Sequence, residues 1–310
     1  MSISIFHDSK ACKICQAPNP PDKHFWTAHK IKIKDYYEAH FPKTNLLTGA
    51  KLEFKSIENY LQNDFADKNE LREWIKNNNK DVVLEYLKSW LSLRREIKGI
   101  EYALGQFDAR SLLFPSVSFI IKSYGLQAWE KINKEIGLKL KYDHITQIKT
   151  DYLNELNFIV DSREQSVLNV PNKQIKKLDV GDYALDDPDN KLFIERKSLN
   201  DFIGTMSAGY DRFDRELQRC QDAGAYLIIL IEEKYANILS YNCLPHMRNV
   251  KATPIFIASR FRSLIQKYPL TCQFLAVDGR KEAIRVIEKI YRVKDIQNLD
   301  LQYLYDTSLF

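Results

Sequence analysis

Apolar residues recur at helical spacing between about Lys55 and Leu140, at Leu84, Leu87, Trp90 and Leu91 and again at Ile97, Ile100, Ala103 and Leu104, with Lys, Arg and Glu between them. That stretch predicts a mostly helical domain. From Leu156 onward the pattern changes to short apolar runs alternating with helical stretches, as in an α/β domain. Strands are predicted at Asn157 to Asp161, Asp182 to Leu185, Leu192 to Arg196, Ala225 to Glu232 and Gln273 to Val277. Helices are signalled by Ser198 ahead of Leu199, by Asp211 ahead of Arg212 to Cys220, by Thr253 followed by Pro254, and by a last stretch near Lys281 to Val293. The first segment, Met1 to about Lys43, fits neither pattern. It is basic and holds Cys12, Cys15 and four of the six histidines. The organisation expected is a small metal-held module over residues 1–43, a helical domain over 44–150 and an α/β domain over 151–310, with the last boundary near Thr146 to Tyr152. No internal repeat of fixed period is visible.

Composition narrows the class. Of 310 residues, 45% are hydrophobic and 28% charged, which is globular composition and excludes an intrinsically disordered or collagen-like chain. The longest apolar run, Ala225 to Ile231, is strand length and far short of a membrane span. Met1 to Lys10 lacks the basic start, apolar stretch and cleavage site of a secretory signal, so an intracellular protein is expected. Five cysteines are too few and too scattered for a disulfide framework. Cys12 and Cys15 read as metal or redox chemistry; Cys220, Cys243 and Cys272 read as ordinary residues. A net charge of +5 favours an anionic partner without selecting one.

Candidate chemistry is densest between Asp161 and Asp201, in VDSREQ (160–165), VGDY (180–183) and IERKSLND (194–201). Asp186-Asp187-Pro188-Asp189-Asn190 between the last two is a strong turn signal. A hairpin folded symmetrically about Pro188 and Asp189 sets position 182 against 195, making Asp182 and Glu195 cross-strand neighbours. Two like charges so placed repel unless something neutralises them, and a divalent cation does so. Mg²⁺ prefers one or two carboxylates with waters and phosphate oxygens. Lys197, two residues beyond Glu195, shares that face by strand alternation. Such a group can hydrolyse a phosphodiester, with Asp161 at the end of its own strand completing the metal shell and Arg163 and Glu164 beside it touching phosphate or metal. Each motif also has a plain structural reading: Glu-x-Lys as a solvated strand pair, Gly-Asp as a turn, Asp201 as the capping-box partner of Ser198, and the charges of Tyr210 to Leu217 as an exposed helix face.

Together GDY, IERKSLND and RFDREL resemble the XPF-type structure-specific endonuclease family, whose signature is Gly-Asp, a spacer, then Glu-Arg-Lys-x-x-x-Asp. The resemblance covers about Leu156 to Val293. It implies an α/β restriction-endonuclease-like fold, a mixed sheet flanked by helices, with Asp161, Asp182, Glu195, Lys197 and Asp201 in the active-site positions and Mg²⁺ or Mn²⁺ as cofactor. Asp161, Asp182 and Glu195 are then the candidate metal ligands. The sequence ends at Phe310 without the family's tandem helix-hairpin-helix region, and no helicase motif is present, so partner dimerisation and branched-DNA preference are not carried over with the motif. A homodimer or a partner subunit stays an open alternative.

In the N-terminal half, Cys12-x-x-Cys15 followed by His24 and His29 offers two sulfur and two nitrogen ligands for zinc, with His40 or His7 as substitutes for either histidine. The alternative is an unligated thiol pair near surface histidines. Lys30, Lys32 and Lys34 alternate with Ile31 and Ile33 and line phosphate or a solvated face. Leu112 to Leu138 resembles the small helical DNA-binding repeat associated with homing endonucleases, in one copy. Trp129, Ile132 and Ile136 are also spaced as ordinary core. Lys122 and Lys131 are its natural phosphate contacts, joining Arg163, Arg196 and Arg212 as candidate DNA-binding residues. The expectation is a divalent-metal-dependent DNA endonuclease in which water attacks phosphorus, leaving 5′-phosphate and 3′-hydroxyl ends, of homing or site-selective type. A structure-specific repair or recombination nuclease and a non-catalytic DNA-binding protein are the alternatives, with an RNA-directed nuclease ranked below them.

Overall fold

A computed structural model of the protein describes residues 11–18, 22–54, 59–60, 63–144, 155–247 and 249–310. The chain forms two units, Met1–Ala103 with Leu112–Lys139, and Leu104–Ser111 with Leu140–Phe310. The boundary expected at Thr146 to Tyr152 lies outside the described residues, as does His7.

The first unit is helical. Helices α1 (Asp22–His29) and α2 (Ile33–His40) accompany a small cluster of Cys12, Phe25 and Tyr36. Helix α3 (Lys68–Asn77) starts where the Asp67 side chain accepts the Asn69 and Glu70 amides. Helix α4 (Lys80–Lys98) is capped likewise by Asn79 and buries Leu87, Trp90 and Leu91. The apolar spacing that continues through Ile100, Ala103 and Leu104 is not helical. Gly99, at φ 63°, stops α4 by sending its amide to the Arg95 carbonyl, a left-handed cap that glycine adopts without strain. Helices α5 (Val117–Tyr124) and α6 (Leu126–Glu135) meet at Gly125, and Trp129, Ile132 and Ile136 are buried as core residues.

A backbone repeat, invisible in the sequence, corrects the expectation of none. In residues 11–18 an antiparallel bridge joins Ala11 and Pro18, the Cys12 amide donates to Ala17 O at 2.8 Å, and the Gln16 amide donates to Cys12 O at 2.8 Å. In residues 44–51 the bridge joins Thr44 and Lys51, the Asn45 amide donates to Ala50 O at 2.8 Å, and the Gly49 amide donates to Asn45 O at 2.8 Å. Gln16 and Gly49 both take positive φ, 60° and 71°. Two identical knuckles therefore recur, Cys12 matching Asn45 and Cys15 matching Thr48. Only Ala17 and Ala50 coincide in sequence, because backbone hydrogen bonds rather than side chains define the turn. In the second knuckle the Asn45 side-chain Oδ1 accepts the Leu47 and Thr48 amides at 2.8 and 3.1 Å.

The second unit is a six-stranded mixed sheet in the order β2-β1-β3-β4-β5-β6. Its strands are β1 (Phe158–Asp161), β2 (Lys173–Lys176), β3 (Tyr183–Leu185), β4 (Leu192–Lys197), β5 (Tyr226–Ile231) and β6 (Cys272–Ala276). Strands β4, β5 and β6 run parallel, and β3 is antiparallel to both its neighbours. All of β5 is buried, consistent with YLIILI as a continuous apolar run covered on both faces. Helices α7 (Leu199–Met206), α8 (Tyr210–Asp222) and α9 (Pro254–Lys267) pack with Leu227, Ile229, Ile231 and Phe274. Helix α10 (Gly279–Arg292) buries Ala283, Val286, Ile287 and Ile290, and α11 (Leu301–Asp306) lies along β6. The strand β2, KQIK, is exposed at every position and carries no apolar signal, which is why the sequence did not reveal it. Helix α8 starts at Tyr210 and not after Asp211: a Cβ at Gly209 would lie 3.1 Å from Thr205 Cα, so close approach of the backbone selects glycine over a capping side chain there. The short helix Gln106–Arg110, expected within the helical domain, packs here instead, with Phe107 stacked on Phe274 at 5.5 Å. No described helix is long and apolar enough to cross a membrane.

Candidate active site

The Gly-Asp step is forced by packing. Gly181 sits at φ 66°, and a Cβ there would lie 3.0 Å from the Ile194 carbonyl oxygen, so only glycine lets β3 enter against β4. Strand β3 pairs Tyr183 with Ile194, the register expected from a hairpin about Pro188 and Asp189. The next step outward brings Asp182 beside Glu195. The Asp182 carboxylate accepts the Arg196 amide at 2.8 Å, and burial, then the Glu195 charge, push Asp182 up to about 8. Lys197 is 6% exposed, donates to Glu195 Oε1 at 2.8 Å and lies 5.2 Å from the centre of the Phe213 ring. Asp182, Glu195 and Lys197 therefore converge at one end of the sheet.

A residue that sequence reasoning missed joins them. Glu216 on α8 is pushed above the usual carboxylate range by burial and then by Glu195, with Lys197 opposing. In the sequence the charges of Tyr210 to Leu217 admit an exposed helix face as a plain structural alternative. The signal was present in the buried stripe Phe213, Leu217 and Cys220, which turns position 216 toward β4.

Asp161 is differently employed. Its Oδ1 accepts the Arg163 amide and Nε at 2.7 and 2.8 Å, and its Oδ2 accepts Arg163 Nη2 and the Leu178 amide, both at 2.8 Å. Four donors fill the acceptor sites of a carboxylate, so a metal ion on Asp161 requires one of them to leave. These bonds hold the acid at about 2, mainly through the Arg163 side chain. Because the folded value is depressed, its stabilisation is present above the ordinary value of 3.8 and disappears as pH falls toward 2. Arg163 is 67% exposed, which screens the pair to about 1 kcal/mol. We expect Arg163→Ala to lower stability at pH 6 and to lower it clearly less at pH 2.5, read by urea unfolding at both values.

Three further expectations change. Arg196 is engaged inside the protein: strand alternation turns it away from Glu195, and its guanidinium, 9% exposed, donates to Glu164 and Glu232, each at 2.9 Å. Glu164 is thereby a partner of Arg196 and accepts the Ser166 amide. Glu232 also faces Arg280 at 3.5 Å, tying the loop after β1, strand β4, the end of β5 and α10 together. Glu232 and Arg280 were not foreseen, although Glu232 directly follows the most apolar strand, where sites in open α/β sheets gather. Asp201 accepts a hydrogen bond from Ser198 Oγ at 2.6 Å while its amide donates back to that oxygen, so it is engaged in capping α7. Arg212, Lys122 and Lys131 are exposed, Lys131 lying 3.9 Å from Glu135.

In the first unit Cys12, Cys15, His24 and His29 bring four ligand atoms within 4.8 Å of one another. Cys12 Sγ lies 3.4 Å from His29 Nε2, Cys15 Sγ lies 3.3 Å from His24 Nε2, and the two Nε2 atoms are 3.2 Å apart. Bonds of about 2.3 Å to sulfur and about 2.0 Å to nitrogen give tetrahedral edges of roughly 3.3–3.7 Å, so the four donors fit zinc. Although burial opposes it, hydrogen bonds from the Cys15 and Ile14 amides bring the Cys12 thiol down to about 6, toward the ligating thiolate. The ring of His40 packs on Tyr36 at 4.7 Å and is not in the cluster.

The second unit is thus a mixed α/β sheet flanked by helices, with two acids and a lysine at one end. Residues 160–290 match the ERCC4 domain, which supports the resemblance to an XPF-type nuclease domain seen in the motifs. Among solved structures, the protein is similar to XPF from Aeropyrum pernix in complex with DNA, at 21% identity and a TM-score of 0.33, over 44% of this chain and 63% of that one. It is likewise similar to XPF from Aeropyrum pernix, at 20% identity and a TM-score of 0.32, over 49% of this chain and 69% of that one. The chain thus spans less than two thirds of the first of these. No curated protein sequence matches it at a significant level.

Proposed function

We propose that the protein is an intracellular, divalent-metal-dependent DNA endonuclease whose ERCC4 domain hydrolyses phosphodiester bonds in branched or partly unpaired DNA. The observation that carries this reading is the convergence of Asp182, Glu195 and Lys197, in which Asp182 is held as a buried acid against a second carboxylate. That charge imbalance suits Mg²⁺ or Mn²⁺ held by Asp182 and Glu195. When bound, the ion lowers the pKa of water and binds a phosphate oxygen. Lys197, steered by Glu195, supplies positive charge to the reacting phosphoryl group, and Phe213 shields it from bulk water. Asp161 keeps Arg163 and the loop to Leu178 in place beside the acids. Arg212, Lys122 and Lys131 are the surface contacts we assign to DNA phosphates. The test is cleavage of supercoiled, linear and branched DNA with Mg²⁺, Mn²⁺ or EDTA, comparing the wild type with Glu195→Gln. Metal-dependent cutting of branched substrates supports the reading, and cutting at fixed duplex sites supports the homing-type alternative. DNA binding without cutting in any metal overturns catalysis in favour of a binding protein.

The first knuckle is proposed to hold structural zinc through Cys12, Cys15, His24 and His29. The second has Asn45 in place of the first cysteine and holds its turn by side-chain hydrogen bonds. We therefore expect one equivalent of zinc per chain by elemental analysis, lost in Cys12→Ser and unchanged in Asn45→Ala. Two equivalents, or none, contradict the assignment.

A further inference from the structure

The two knuckles form an internal comparison between one that carries the Cys/His cluster and one that has Asn45 and Thr48 at the cysteine positions. The first is followed by α1, on which Trp26 is 58% exposed. Of the four tryptophans, Trp90 and Trp129 are buried and Trp74 is half-buried, so Trp26 alone presents most of its indole to solvent. Lys23 lies one turn before it on the same helix and Lys30 lies just past the helix end, at φ 58°, both exposed. Lys30 is fixed at the helix end, where its amide donates to the Trp26 carbonyl at 3.1 Å. The inward positions His24, Phe25 and His29 are taken by the metal cluster and the small core. At the same 33-residue offset the second copy has Ser56, Asn59 and Asn63, with neither ring nor charge. Metal ligands and the basic-aromatic face are kept together in one copy and absent together from the other.

We propose that α1 of the first knuckle is a stacking platform for an unpaired base of DNA, Trp26 taking the base and Lys23 and Lys30 the flanking phosphates. An exposed indole between two ammonium groups matches the chemistry of a single strand, which offers a base face and a phosphate on either side of it. A duplex hides its base faces, so it gains only the two lysines. The Cys/His cluster anchors the helix that carries the ring, since His24 and His29 belong to the same two turns as Trp26. The inference deepens the proposed function by assigning the unpaired part of the substrate to the first unit, and it rests on the reading that DNA is the substrate.

The experiment titrates the full chain, without added Mg²⁺ or Mn²⁺, with oligothymidine and with a duplex of equal length while following tryptophan fluorescence. Oligothymidine is expected to quench the long-wavelength emission, and the duplex to leave it unchanged. In Trp26→Phe the quenching disappears while most of the affinity stays. Trp26→Ala weakens single-strand binding roughly 10-fold or more, and Lys23→Ala lowers the salt slope of single-strand binding by about 0.7. Because Trp26 is mostly exposed, zinc content and melting temperature of these variants report that the fold is kept. Equal quenching by duplex, or unchanged single-strand affinity in Trp26→Ala, overturns the platform. Cutting without quenching overturns the platform and leaves the nuclease; quenching without cutting overturns the nuclease and leaves the platform.

Discussion

Glu195→Gln is expected to reduce metal-dependent DNA cleavage by roughly 10²-fold or more, the scale of losing one essential electrostatic contact in a reacting centre. The change is isosteric, so its effect separates charge from shape. In the wild type, Glu195 bears on three neighbours at once: it raises Asp182, raises Glu216 and accepts the Lys197 ammonium. An amide keeps the acceptor for Lys197 but removes one anion from the group proposed to hold the ion. Asp182 and Glu216 are then relieved of repulsion, so the variant folds at least as stably while binding Mn²⁺ more weakly. Cleavage rate and Mn²⁺ affinity should therefore fall together while melting temperature holds or rises. Unchanged cleavage in the variant rules out Glu195 as a member of the centre. Loss of cleavage together with a large fall in melting temperature assigns it to stability instead.

The centre was legible because it is written in local spacing. Five of the six strands were visible as apolar runs, and the Asp-Pro-Asp-Asn turn fixed the register that brings positions 182 and 195 together. Cys12, Cys15, His24 and His29 were also legible, since donor type and short spacing are sequence properties. Long-range partnership was not. Arg196 and Lys197 are adjacent in the same basic motif, yet the pleat sends them to opposite faces, one into an ion-pair clamp and the other toward the acids. Which face receives which partner depends on Glu164, Glu232 and Arg280, separated from Arg196 by 32, 36 and 84 residues. The knuckle repeat escaped for a different reason. Its signature is a set of backbone hydrogen bonds compatible with Cys-x-x-Cys and with Asn-x-x-Thr alike, so side-chain identity carries almost no trace of it.

The clamp makes Arg196→Ala the substitution with the largest expected cost in stability. Arg196 lies between Glu164 and Glu232, and all three side chains are about 10% exposed or less. Removing one partner of a buried ion pair costs about 3–5 kcal/mol, because the acids left behind stay desolvated without compensation. For a domain of this size that corresponds to a fall in melting temperature of roughly 6–20 °C. Arg280 offsets part of the loss at Glu232, at 3.5 Å, whereas among the described residues no second cation pairs with Glu164, so the loop after β1 is expected to loosen first. Lysine will not restore the wild type, since a single ammonium cannot donate to two acids on opposite sides of a planar guanidinium. The same variant decides between clamp and DNA contact. A clamp predicts the fall in melting temperature with the salt dependence of DNA binding unchanged in the protein that remains folded. A phosphate contact predicts a normal melting temperature and a salt slope smaller by about 0.9 on duplex DNA.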